Sequence, residues 1–428
     1  MSGGGTVEGR QVGDLARAAG ELMQAGRLDE ASRVWERVLG LAPNHPKALL
    51  HLGQHQLHRK NALGARTLLE RAVQADPGNP VVTLNLSFVL RALGDVHGEM
   101  AALTRTLTID PHYLPALLAK GALFERVGKH RQAAKVYTDV VTVAPTDDHV
   151  EPWLTKPLEH ARTVVRDNRA RFDAHLGDRL ASARANHTAE ALERFDECKD
   201  VMIGFKKIYT HQPTMLHFPR LPAIAFYDNR DFPWLAEIEA ATDVIRGELL
   251  ALLNEDAGDF APYVHHPDGV PLNQWAELNH SPKWSAYFLW KDGERVAEHC
   301  ARCPKTASVL EKMPMVDVPG AAPSAFFSVL QPKTLIPPHT GVTNTRLVMH
   351  LPLILQEDCW FRVGNEKREW QMGQGWIFDD TIEHEAWNGS DKTRVILIFD
   401  IWNPYLTQAE RELVCELFTA MREYYAQD

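Results

Sequence analysis

Pro338-His339-Thr340-Gly341-Val342-Thr343-Asn344-Thr345-Arg346-Leu347-Val348-Met349-His350 is the stretch that organises this chain. It is answered by Phe378-Asp379-Asp380-Thr381-Ile382-Glu383-His384-Glu385, and then by Arg394. His339 and His384 stand forty-five positions apart, and the arginine follows ten residues after the second. The residues between them read as short strands. A non-haem iron oxygenase needs this arrangement: imidazole ligands on a rigid barrel, and a fixed cation for the far end of an acidic co-substrate.

Single residues sharpen the pocket. Arg346 and His350 lie four apart on a strand, so both point to one face. Arg394 heads Val395-Ile396-Leu397-Ile398-Phe399, apolar on both faces as for a strand covered on each side. A guanidinium there needs an anion, because its five donors cannot be left dry. That anion is either a co-substrate carboxylate or a structural neighbour such as Asp400. Gly341 stands where the common facial triad places Asp or Glu, and it has no side chain to coordinate. Asp379 and Asp380 read as turn residues or supports for the second histidine rather than as ligands.

Around the pocket the chain reads as strands. Trp284 to Trp290, Ser324 to Gln331, Thr345 to Leu355, Trp360 to Val363, Gly375 to Phe378 and Thr393 to Ile401 are short β-branched or aromatic runs. Turn residues punctuate them, so the spacing predicts a sandwich or barrel. A helix is expected before them, from Asp231 through Leu249, packed along the outside of the sheet. Another closes the chain behind the capping box Thr407-Gln408-Ala409-Glu410.

The first third is a repeat. Pro43, Pro77, Pro111 and Pro145 recur every thirty-four residues. Gly26, Gly94 and Gly128 keep the same period, with Lys60 at the second repeat. Ala31, Ala65 and Ala133 form a column broken by Glu99, and Trp35, Leu69, Leu103 and Tyr137 form another. Glycine ends helix A, alanine allows close helix crossing, and proline ends helix B. The pattern resembles the tetratricopeptide repeat, whose stacked helix pairs present a concave groove. That groove is expected to dock a peptide or partner protein; a mere spacer is the other reading. The expected organisation is a helical solenoid over 1–146, a helical connector or cap over 147–215, and a β domain with a C-terminal helix over 216–428. The fold class is therefore α + β and multidomain.

Composition narrows the classes. At 428 residues two or three domains are expected. A formal charge of −10 argues against general nucleic-acid binding. The start has no apolar core for a signal peptide, and no run approaches the length of a membrane helix. Five cysteines suggest no disulfide framework, and the Cys300-x-x-Cys303 pair lacks a second pair to complete a zinc site. The expected location is a reducing cytoplasm.

Pro-His-Thr-Gly (338–341), Thr-Asn-Thr-Arg (343–346), His-Leu-Pro-Leu (350–353), Phe-Asp-Asp…Glu-His-Glu (378–385) and the Arg394 strand resemble the aspartyl/asparaginyl β-hydroxylase family. The resemblance runs from about Pro219 to Pro404 and takes in Trp284 and Cys-Pro-Lys-Thr at Cys303 to Thr306. Animal members also carry tetratricopeptide-type repeats ahead of the catalytic domain. The resemblance implies a double-stranded β-helix (jelly-roll) dioxygenase using Fe(II), 2-oxoglutarate and O2. Such enzymes hydroxylate a carbon beside a carboxylate or amide and release succinate and CO2. It implies His339 and His384 as iron ligands and Arg394 with Ser328 on the distal carboxylate of 2-oxoglutarate. It further implies that His350 helps to hold 2-oxoglutarate, Trp284 lines the pocket, and Arg346 faces a substrate carboxylate. The family's peptide hydroxylases share the gap at Gly341. This chain departs at Val348, where animal members carry an arginine.

The expected substrate is an Asp or Asn side chain, or a similar group, in a protein or peptide, with Asn279, Arg346 and the repeat groove as candidates for setting the choice. A halogenase is the second enzyme reading, since a glycine in the carboxylate slot leaves room for chloride. A non-catalytic repeat scaffold with a vestigial barrel is the third. A zinc hydrolase lacks its third protein ligand.

Overall fold

The computed structural model describes residues 7–146, 149–254 and 260–426. The chain forms two compact units, Met1–Phe205 and Lys206–Asp428.

The first unit opens with four helix pairs: α1 (Val7–Gln24) with α2 (Leu28–Leu41), α3 (Pro46–His58) with α4 (Ala62–Ala75), α5 (Pro80–Ala92) with α6 (Val96–Ile109), and α7 (Leu114–Arg126) with α8 (His130–Val143). The repeat columns do what their residue types require. Gly26, Gly94 and Gly128 take φ of 73, 75 and 73°, and Lys60 is held at φ 63° in the same left-handed turn. Trp35, Leu69, Leu103 and Tyr137 are all buried. Glu99, the odd member of the alanine column, is buried too, and Arg126 pairs with it. A further column, Ala19, Gly53, Ser87 and Gly121, lies in the first helix of each pair. A Cβ on Gly53 would meet the Leu69 side chain, and one on Gly121 the Tyr137 ring. Small residues here let each large one reach across its own pair.

The next helix, α9 (Pro152–Arg184), closes the stack. Leu154, Leu158, Ala161 and Val165 pack on Val136, Tyr137 and Val140 of α8, as a solenoid end requires. Beyond Val165 burial stops. The rest of α9 meets α10 (Ala189–Ile203) through Arg184–Asp196 at 2.5 Å and Lys199–Asp173. The expected connector 147–215 is thus divided. Its helices belong to the first unit, residues 206–215 belong to the second, and Asp147 lies outside the described residues.

In the second unit the single helix expected from Asp231 is two: α11 (Leu235–Ala240) and α12 (Thr242–Asn254). The Thr242 hydroxyl donates to the Glu239 carbonyl at 2.6 Å, a local bond that competes with the helix at that point. The strands follow: β1 (Ala261–Pro262), β2 (Trp284–Lys291), β3 (Glu294–Arg295), then, after short helices α13 (Ala297–Arg302) and α14 (Pro304–Leu310), β4 (Ala325–Leu330). Next come β5 (Thr334–His339), β6 (Arg346–Ile354), β7 (Cys359–Val363), β8 (Glu366–Glu369), β9 (Trp376–Phe378), β10 (His384–Asn388) and β11 (Arg394–Trp402). Each run expected as a strand is one. Neither histidine-bearing strand, β5 nor β10, was expected as a run of its own.

The strands form two antiparallel sheets. The larger runs β1-β2-β4-β11-β6-β9 with β3 on β2, and the smaller runs β5-β10-β7-β8. From β4 onward the chain steps back and forth between them. Along β11, Val395, Leu397 and Phe399 face a core with Ile238, Ile245 and Leu249 of α11 and α12, so these helices cover the outer face as expected. Ile396 and Ile398 face the smaller sheet, packing with Ile336, Phe361 and Ala386. The last helix, α15 (Gln408–Tyr425), starts on the expected capping box at Thr407 and Glu410. Cys300 and Cys303 are both buried. Among the described residues no helix is long and apolar enough to cross a membrane.

Candidate active site

The cavity between the two sheets measures about 490 Å³. His339 ends β5 and His384 begins β10, and the two residues are direct partners across that ladder. Their ring centroids are 4.1 Å apart. Nδ1 of His339 donates to the Pro337 carbonyl at 2.8 Å, and Nδ1 of His384 to the Ile382 carbonyl at 3.0 Å. With the hydrogen on Nδ1, each Nε2 keeps a lone pair. Burial pushes the His339 pKa down, and burial with the nearby His339 holds His384 well below the ordinary value. Both rings are therefore neutral at physiological pH, the state a divalent metal requires.

The opposite wall comes from the larger sheet, where the strand alternation brings Ser328, Val348, His350, Arg394 and Asp400 to the cavity face. Ser328 is the cross-strand partner of Ile396, two residues past Arg394, and its Oγ accepts from the Trp284 indole at 3.1 Å. Arg394 is 1 % exposed, its Nε and Nη1 have no hydrogen-bond partner among the described residues, and its guanidinium lies 4.8 Å over the Trp370 ring. Burial lowers its pKa to about 10, so it remains a cation at neutral pH. Asp400 is not its counter-ion, because that carboxylate bonds Arg346 at 2.5 Å. His350 is also buried, with an unpartnered Nδ1, and burial together with Arg394 holds it neutral.

Arg346 is already engaged. Besides Asp400, its Nη2 lies 3.6 Å from Asp380. Burial opposes its charge, but the two carboxylates outweigh that and raise its pKa. Asp380 is pushed up to about 7, by burial first, with Arg346 opposing. The expectation that Arg346 faces a substrate carboxylate thus meets a guanidinium already paired. The room expected beside Gly341 is taken too: a Cβ there would collide with the Asp380 carboxylate, and the Gly341 N–H donates to the Asp380 carbonyl at 2.6 Å. The Asp380 side chain fills the space on which the halogenase reading depends. Asn279 does not line the cavity; its Oδ1 accepts from the His266 N–H at 2.7 Å.

Two imidazoles are the ligand set on offer. Among the described residues no group of three His, Cys, Asp or Glu side chains is placed to hold a metal ion. Two neutral imidazoles are able to hold a divalent metal ion, and the Arg394 guanidinium is able to hold a carboxylate. Sequence reading missed Trp275, 5.0 Å from the His339 ring, and Trp370 beneath Arg394. No local signal marks either. Asp400 could have been placed, since it shares the period-two face of Ile396 and Ile398.

Residues 239–404 match the family described as aspartyl/asparaginyl beta-hydroxylase, and residues 14–80 match the tetratricopeptide repeat. The human aspartyl/asparaginyl beta-hydroxylase is 27 % identical over 430 aligned residues, covering 92 % of this chain and 54 % of the relative. The mouse protein of that name is 28 % identical, covering 92 % and 55 %. The ornithine lipid ester-linked acyl 2-hydroxylase of Rhizobium tropici is 33 % identical over 45 % of this chain and 66 % of the relative. The chain spans about half the length of the human and mouse relatives it matches. Among solved structures, the crystal structure of MamA protein aligns with 42 % of this chain and 96 % of its own at 18 % identity, with a TM-score of 0.32, too low to carry an argument. The chain thus carries a domain of the aspartyl/asparaginyl β-hydroxylase family behind tetratricopeptide repeats.

Proposed function

We propose that this chain is an Fe(II)- and 2-oxoglutarate-dependent dioxygenase that hydroxylates an Asp or Asn side chain, or a similar group, of a protein or peptide. The two facing sheets, with the chain passing repeatedly between them, support a double-stranded β-helix. The observation that carries the reading is Arg394: a buried guanidinium without a carboxylate, across a cavity from two neutral imidazoles whose Nε2 atoms are free of hydrogen.

In this reading His339 and His384 hold the metal through Nε2, their rings fixed by the Pro337 and Ile382 carbonyls. Arg394 and Ser328 take the distal carboxylate of 2-oxoglutarate, and the Trp284 indole orients the Ser328 hydroxyl. Neutral His350 offers a further hydrogen bond to the co-substrate without competing for the metal's charge. Trp275, Trp284 and Phe361 wall the cavity. With O2, the metal and 2-oxoglutarate supply the oxidising power that puts one oxygen on a C–H bond, leaving succinate and CO2. The groove of the helical repeats serves as the docking surface for the substrate or a partner.

The test is succinate release from full-length protein supplied with Fe(II), 2-oxoglutarate and candidate peptides, read with the mass of the product. A gain of one oxygen on Asp or Asn is expected. Absence of 2-oxoglutarate-dependent product, with the chain folded and metal-loaded, contradicts the reading. The identity shared with the Rhizobium tropici lipid hydroxylase favours an acyl chain as the second substrate class, and the same mass measurement on lipid separates the two.

A further inference from the structure

His339 and His384 sit at the last rung of their ladder, where β5 stops and β10 starts. End rungs fray, so two rings that share one ion need support beyond the strands. The loops outside that rung are 340–345 and 379–383. One segment, residues 206–218, lies along both. Its Gln212 N–H donates to the Thr381 carbonyl at 2.7 Å, Thr214 N–H to Gly341 at 2.9 Å, and Met215 and Leu216 N–H to Val342 at 3.1 Å. Phe218 closes the line: its N–H donates to Asn344 Oδ1 at 2.7 Å, and Asn344 Nδ2 returns a bond to the Phe218 carbonyl at 2.9 Å.

His211 stands at the centre of this strap. Nε2 faces Asp379 Oδ2 at 3.0 Å in an ion-pair contact; both atoms are buried, and among the described residues neither has a hydrogen-bond partner. Nδ1 lies 3.2 Å from Asn344 Nδ2. The ring therefore touches one side chain from each ligand-bearing loop. Asp379 in turn builds the approach to His384. Its Oδ1 accepts from the Thr381 N–H at 2.9 Å and the Thr381 hydroxyl at 2.6 Å, and its carbonyl accepts from Ile382 N–H at 3.3 Å. The Ile382 carbonyl is the group that holds Nδ1 of His384.

We propose that the strap 206–218 is a positioning element for the metal-binding pair, and that His211 acts through Asp379 and the Ile382 carbonyl to set the tautomer and aim of His384. This rests on the assignment of His339 and His384 as ligands. His211 touches neither substrate nor metal. Its contribution is to keep the turn 379–382 in the one conformation that presents the Ile382 carbonyl to the ring. Groups that orient a ligating histidine typically change metal affinity by about 10–100-fold when removed.

The experiment uses the full chain and Co(II), with affinity read by calorimetry and coordination by the visible absorption of the bound ion. Wild type is expected to bind one Co(II). His211→Ala is expected to weaken binding by about 10–100-fold and to alter the band. His211→Gln, which can place an N–H against Asp379, is expected to restore most of the affinity, and Asp379→Asn to lose part of it. Ile208→Ser, at an exposed strap position, is expected to behave as wild type. Should the alanine variant fail to fold, the glutamine and Asp379→Asn variants decide. Wild-type affinity and spectrum in His211→Ala, or equal loss in the alanine and glutamine variants, overturns the positioning role. Failure of wild type itself to take up Co(II) overturns the ligand assignment instead, and the proposal with it.

Discussion

The helical unit and the β unit treat buried charge in opposite ways. In the repeats, the one carboxylate that enters an alanine column, Glu99, is met by Arg126. In the cavity between the sheets, Arg394 is as deeply buried and has no carboxylate partner among the described residues. The first arrangement is complete within the chain. The second is complete only when something else arrives. Buried unpaired charge costs stability, and in the proposed function the β unit trades that stability for binding.

Variants can break this contrast, beginning with the largest effect. His384→Ala removes half of the ligand set and is expected to abolish metal-dependent turnover, with the apo chain still folded by circular dichroism. Full activity in that variant would refute the ligand assignment. Leu69→Ala, in the packed column of the first unit, is expected to destabilise it by about 2–5 kcal/mol in denaturant melts. Metal affinity is expected to stay as in wild type, because the site lies wholly in the other unit. Arg394→Met sharpens the comparison from the other side. It is expected to stabilise the metal-free β unit by about 1–4 kcal/mol while removing 2-oxoglutarate binding. A stability loss would mean that the guanidinium is paired in solution.

Acidity gives a smaller effect with a definite sign. His339, His350 and His384 titrate below their ordinary 6.5, so below that pH the unfolded chain binds more protons than the folded one. Their contribution is full above pH 6.5 and is lost as the pH falls. Asp380 works in the other direction: between 3.8 and about 7 the folded chain keeps a proton that the unfolded chain has released. Three rings outweigh one carboxyl, so the melting temperature of the metal-free chain is expected to fall between pH 6.5 and 5. Asp380→Asn should steepen that fall. A flat profile contradicts the depressed rings. The smallest effect is Lys60→Gly, which relieves a left-handed residue at φ 63° at the cost of a more flexible unfolded chain, and is expected to stabilise the repeats by about 0.5–1 kcal/mol.

The same contrast governs what could be read from sequence. In the repeats each structural need recurs every thirty-four residues, so Gly26, Gly94 and Gly128 explain one another and even Lys60 is placed by its neighbours. The small-residue column at Ala19, Gly53, Ser87 and Gly121 went unread because its members share size rather than identity. In the β unit the covered strands β6 and β11 are legible from their apolar runs. The two strands that carry the histidines are not: β5 ends Pro337-Pro338-His339 and β10 begins His384-Glu385. Proline and charge at those positions suit an edge rung that presents ligands, and they erase the strand signal. Motif spacing found the histidines where periodicity could not. Neither could find His211, whose importance depends on a fold that returns residues 206–218 to loops more than a hundred positions later.

The central claim is that two imidazoles and Arg394 form one site for a metal and a keto-diacid. Calorimetric titration of 2-oxoglutarate into the full chain, with and without Mn(II) and without O2, tests it most directly. Binding of one equivalent that requires the metal, and that disappears in both His384→Ala and Arg394→Met, is the expected result. Binding that ignores the metal, or that survives loss of Arg394, contradicts it.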